Sequence, residues 1–224
     1  MRRKQSLLTV AASALLALAA IQCAHGTQPA VPATQKKPKM TSTLHKIPSG
    51  AHTLAEYPQF TAQEMGKRTL ALIDSLKSFD ELSLERIREV TGFPMKHTPP
   101  GETYIFEMYL PESNWDYWFE YGKDETSGEK SGGLIFANST DNYTNALMDM
   151  SPVCLDYDSY INTLKNMGFK NKYSQYHELG WILATFYARN NVAIQVVRRR
   201  EADQPESKAS HACLGSIYIS KWTK

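Results

Sequence analysis

The chain predicts an α+β fold: an antiparallel sheet of about six strands from two helix–three-strand modules, with the helices on one face. Three observations carry this expectation. Helical stretches open at capping residues and close at a Gly-Phe pair, first at Gly92-Phe93 and again at Gly168-Phe169. Three strand-like runs follow each closure. The two glycine stops lie 76 residues apart, as a repeated unit would place them.

The first helix begins with a capping box, Thr61 and Glu64, followed by Met65, Thr69, Leu72, Ile73 and Leu76 at helical spacing. Ser83 caps a shorter helix, with Leu82 and Ile87 as a hydrophobic staple and Gly92 as its stop. Runs at 103–110, 115–122 and 132–137 read as strands, the first two joined by the tight turn Pro111-Glu112-Ser113-Asn114. Asp156 caps the next helix, with Leu155 and Tyr160 as staple and Tyr157, Ile161, Leu164 and Met167 on its apolar side. Strand-like runs return at 180–188, 192–199 and 213–221, and Arg189-Asn190-Asn191 supplies amides that tolerate a left-handed turn. The modules are placed at about 61–150 and 151–224.

Ahead of this domain, Met1-Arg2-Arg3-Lys4 precedes an apolar or small stretch from Leu7 to Ile21, the pattern of an export signal. Residues 1–26 are read as signal peptide, 27–50 as a Pro-, Thr- and Lys-rich tether, and 51–224 as a single domain. Cleavage after Gly26 removes Cys23 and leaves Cys154 and Cys213 to pair in an oxidising space, which places the protein in the periplasm. Cleavage after Ala19, or lipidation of Cys23 as in bacterial lipoproteins, are the alternatives; only lipidation gives a membrane contact. A reactive thiol beside His211 is the alternative to the disulfide. The whole chain carries a formal net charge of +2. Without Arg2, Arg3 and Lys4 it has 22 basic and 23 acidic residues, or −1, and no polybasic tract that would suit nucleic acid.

The familiar sequence signatures of catalysis are missing: no Gly-x-Ser-x-Gly elbow, no His-Glu-x-x-His helix and no phosphate-cradling glycine loop. The expectation is a protein that is not an enzyme and takes no cofactor or metal. Asp156 and Asp158 fall in a helix's first turn, where carboxylates meet exposed amides. The 138–150 loop, with Asp141, Asn142, Asn145 and Asp149, matches a calcium loop poorly, because Tyr143 interrupts the alternation of oxygen ligands.

The most informative feature is the first hairpin. If its turn sets the register, Tyr109 faces Asp116, Glu107 faces Trp118 and Ile105 faces Glu120, so a face opposite the apolar core shows aromatics among acids. Such surfaces anchor protein partners. Glu107, Tyr109, Asp116, Trp118, Glu120 and the adjacent loop residue Asp124 are the candidate partner-binding residues. The Leu82–Phe93 stretch, followed by strands and a second cap–helix–Gly-Phe unit, resembles secreted proteinaceous inhibitors of the β-lactamase-inhibitor type. It is also similar in design to periplasmic immunity proteins that neutralise toxins. What the resemblance implies is an inhibitor or immunity protein occluding a partner toxin or enzyme, with a basic cell-wall hydrolase as a fitting target. A non-catalytic envelope assembly or glycan-binding module is the alternative.

Overall fold

In a computed structural model of the chain, the residues described are 50–99, 101–124, 127–138, 149–178, 180, 182–200 and 211–223. They lie within one compact unit, Ser42–Lys224. The expected signal peptide, nearly all of the tether, Cys23, and Asp141, Asn142 and Asn145 of the 138–150 loop lie outside the described residues.

Capping chemistry sets the helices. Thr61 is extended, and its hydroxyl accepts from the Glu64 amide at 3.2 Å to open α1, Ala62–Ser75. Ser83 accepts from the Arg86 amide at 3.2 Å to open α2, Leu84–Thr91, which Gly92 closes at φ 68°, a left-handed conformation that costs glycine little. Asp156 accepts from the Ser159 amide at 2.7 Å to open α3, Tyr157–Asn166. Each cap contributes about 1 kcal/mol. A 3-10 turn, Phe79–Glu81, links α1 to α2.

Eight strands follow: β1 Lys96–Thr98, β2 Glu102–Leu110, β3 Trp115–Lys123, β4 Lys130–Asn138, β5 Lys170–Tyr176, β6 Ile182–Arg189, β7 Val192–Arg200 and β8 Ala212–Lys221. They form one antiparallel sheet in the order β1-β2-β3-β4-β8-β7-β6-β5. This overturns the expected six strands in two three-strand modules. The two extra strands are the sheet's edges. β1 is Lys-His-Thr, exposed throughout, and β5 is Lys-Asn-Lys-Tyr-Ser-Gln-Tyr, exposed at all but one position. Edge strands bury too little of either face to carry a period-two apolar pattern, and their lysines discourage pairing with a further chain. β4 and β8 then join through Gly132–Ile135 and Ser216–Ile219, making one continuous sheet.

One face of the sheet is the core. Phe106, Met108, Trp115, Tyr117, Phe119, Leu134, Ile194, Val196, Ile217 and Ile219 are buried at alternate positions and cluster with Met65, Leu72, Ile87 and Leu164 of the helices. Buried hydroxyls are satisfied across layers: Tyr117 donates to the Phe60 carbonyl at 3.0 Å, and Tyr160 of α3 to the Gly66 carbonyl of α1 at 2.5 Å. Burial pushes the Tyr160 phenol far up from its ordinary pKa. Gly66 also makes room for Leu155, whose Cδ1 would collide with any Cβ there.

Arg189, at the end of β6, ties two helix ends together. Its guanidinium donates to the carbonyls of Ile73 at 3.0 Å in the last turn of α1, of Leu76 at 2.9 Å just past it, and of Met167 at 2.7 Å past α3. It pairs with Asp74 at 3.2 Å and stacks 4.5 Å over the Phe169 ring. Helix C-termini present unpaired carbonyls and a partial negative charge, and one planar cation satisfies several of them. The Gly168-Phe169 stop, with Gly168 at φ 87°, places the aromatic ring under the arginine.

Candidate partner-binding face

The β2–β3 hairpin turns at 111–114, with Asn114 in the left-handed region at φ 56°. The turn sets the register read from the sequence: Tyr109 opposite Asp116, Glu107 opposite Trp118, Ile105 opposite Glu120. These residues point away from the helices. Among the described residues the face is therefore the one opposite the three helices, and its exposure is uneven.

Tyr109 and Asp116, expected at the surface, are only 1% and 6% exposed. The Tyr109 hydroxyl donates to the Asn114 side-chain oxygen at 2.6 Å, and its amide donates to the His52 carbonyl at 2.7 Å, where the chain entering at residues 51–56 lies along the edge of β2. Asp116 Oδ1 is buried and has no hydrogen-bond partner among the described residues. Burial, reinforced by the neighbouring Glu107 carboxylate, pushes the Asp116 pKa from 3.8 up to about 6. Burial also raises Glu107, against the opposing pull of His52. Glu107, Trp118 and Glu120 are partly exposed, and the Trp118 indole donates to Glu120 Oε2 at 3.2 Å. Asp124 is exposed beyond β3, where its carboxylate accepts from the Ser127 amide at 2.6 Å and hydroxyl at 2.9 Å. It shapes its own loop.

The continuous sheet extends this face beyond the hairpin. One cross-strand row runs Lys96, Ile105, Glu120, Gly133, Tyr218, Gln195, Phe186, Tyr173, across all eight strands. Tyr218 lies over Gly133: a Cβ there would sit 2.6 Å from the ring's Cδ1 and 2.8 Å from the Ile217 carbonyl. At the far edge Tyr173 stacks on Phe186 with centroids 4.4 Å apart, Trp222 lies 6.5 Å from Tyr173, and Lys172 sits 5.7 Å over the Trp222 ring. Tyr173 is 45% and Tyr176 62% exposed.

Tyr218, Phe186, Tyr173 and Trp222 were not legible as site residues. Their alternation is present in the sequence, but their alignment with Glu120, two residues along β3 from Trp118, depends on the β4–β8 pairing of strands some 80 residues apart, which no turn specifies.

Comparison of the chain with protein-family models, with curated proteins and with solved structures finds no match. What can be said of the site comes from its own geometry.

Cys154 and Cys213 form a disulfide, with Cα atoms 5.1 Å apart, joining the segment before α3 to the start of β8. Such a bond belongs to an oxidising environment and fits an exported protein. No described helix is long and apolar enough to cross a membrane. Asp156, next to the bridge, spends Oδ1 on the α3 cap and brings Oδ2 to 3.1 Å from His211 Nε2. Asp149 likewise accepts from the Ser151 amide and hydroxyl, which holds its pKa below the ordinary value.

Proposed function

We propose that this chain is a periplasmic inhibitor or immunity protein that binds a partner toxin or enzyme through the open face of its sheet. The observation that carries the reading is the asymmetry of that sheet. The three described helices cover one face, while the other shows Trp118, Tyr218, Phe186 and Tyr173 in one field with Glu107 and Glu120. Aromatic anchors with two soft torsions bind at low entropic cost, and a rigid eight-stranded support holds them preorganised.

Charge narrows the partner. Glu107 of β2 and Glu120 of β3 are the partly exposed carboxylates of this face, and carboxylates kept half out of water gain by pairing with an incoming cation. A basic cleft, such as that of a peptidoglycan-cutting hydrolase, suits this surface. In a turbidity assay on isolated cell walls, the purified chain at stoichiometric excess is expected to block a cationic muramidase. Trp118→Ala and the Glu107→Gln/Glu120→Gln pair are expected to relieve the block. Undiminished lysis at a tenfold excess, against a panel of such enzymes, would refute the hydrolase as target.

The Tyr173–Phe186 stack favours a second reading, an envelope module that lays sugar rings on exposed aromatics. Sedimentation with cell walls that is lost in Tyr173→Ala but unaffected in Glu107→Gln/Glu120→Gln would favour this reading over inhibition.

A further inference from the structure

The side chains around the disulfide form a compact donor set that the open face does not use. One ligand atom each from Cys154, Cys213 and His211 lies within 4.8 Å of the other two. Cys213 is buried, Cys154 and His211 partly so, and Asp156 reaches the imidazole at 3.1 Å while its other oxygen is fixed to the α3 cap. Backbone order reinforces the cluster: the Leu214 amide donates to the Leu155 carbonyl at 2.8 Å, and Asp156 pairs with Cys213, so both cysteines sit on elements already joined without the sulfur bond.

We propose that, when the disulfide is reduced, Cys154, Cys213 and His211 bind a thiophilic divalent metal ion such as zinc, with Asp156 as the positioning residue for His211. Two thiolates and an imidazole at a tetrahedral ion, with ligand distances of about 2.3 Å and 2.0–2.1 Å, is chemistry zinc accepts, leaving a fourth position for water. The sulfurs must part to about 3.8 Å in such a site, which side-chain rotation across the 5.1 Å Cα separation supplies. Carboxylate-held imidazoles are the usual form of a metal-binding histidine. The balance is simple. A dithiol reductant delivers two electrons to the S–S bond, which breaks and takes up two protons, and the reductant leaves as its own disulfide. The metal then displaces the two thiol protons. Exchange with an oxidised dithiol partner, which accepts the two electrons and leaves as its dithiol, re-forms the S–S bond and expels the ion, so disulfide and metal exclude each other.

The test titrates cobalt(II) into the chain in a Cys23→Ser background, reduced and oxidised. The reduced protein is expected to bind one equivalent with a sulfur-to-cobalt charge-transfer band, and zinc is expected to displace it. Oxidised protein and the Cys154→Ser/Cys213→Ser variant are expected to show no band. His211→Ala and Asp156→Asn are each expected to weaken binding by about 10- to 100-fold. Circular dichroism runs in parallel: if the reduced apo chain has lost its fold, added metal must restore it. A reduced chain that binds no more tightly than the double serine variant, or that metal does not refold, overturns the proposal.

Discussion

Replacing Asp116 by asparagine should stabilise this protein at neutral pH. The side chain is 6% exposed, its Oδ1 lacks a described partner, and Glu107 repels its charge. The folded-state pKa is near 6, against 3.8 ordinarily. The native state therefore holds this proton where the unfolded chain has released it. Its favourable contribution is complete below pH 3.8, falls as pH rises, and is gone above about pH 6. At about 1.4 kcal/mol per decade, the difference of roughly two decades caps the effect near 3 kcal/mol, and a gain of about 1–3 kcal/mol is expected. Asparagine keeps the shape and removes the charge. Urea unfolding at pH 5, 6, 7 and 8 on wild type and variant reads this group together with its coupling to Glu107, because titrations elsewhere cancel in the difference. Asp116→Asn is expected to gain on wild type as pH rises to 7, then hold level. A variant that is less stable at pH 8, or a difference that does not change with pH, would refute the reasoning.

Other consequences follow from separate parts of the molecule. Cys154→Ser/Cys213→Ser opens a loop of 59 residues and should cost about 4 kcal/mol in urea unfolding, with the far-ultraviolet circular dichroism retained under native conditions. Arg189→Lys, which keeps the charge but loses the fork that satisfies Ile73, Leu76 and Met167, should cost about 1–3 kcal/mol; loss in Arg189→Ala alone would assign the effect to charge. Gly133→Val forces the Tyr218 ring off the sheet and meets the Ile217 carbonyl, so a loss of about 1–3 kcal/mol is expected along with a changed near-ultraviolet spectrum.

The parts legible in the sequence were those dictated by local chemistry. Thr61, Ser83 and Asp156 cap helices because their side chains reach the amides three residues on. Six strands were readable because each alternates or runs apolar against the core, and the hairpin register followed from a four-residue turn. β1 and β5 escaped because edges bury too little to leave a pattern. The extent of the open face escaped for another reason. Its lane from Glu120 to Tyr173 exists only once β4 meets β8, a pairing set by core packing of Leu134 on Ile217 and not by any turn. Tyr109 and Asp116 pair as the turn register requires, but the sequence does not carry their depth, which reflects the chain entering along β2 and the Asn114 contact.

The sharpest test of the open face uses a photo-cross-linking amino acid at Tyr218, on that face, and at exposed Lys165, on α3, in cells that make this protein. A discrete adduct from position 218, abolished by Trp118→Ala and absent from position 165, is the result this reading requires. Adducts from position 165 alone would place the working surface on the helices and contradict it.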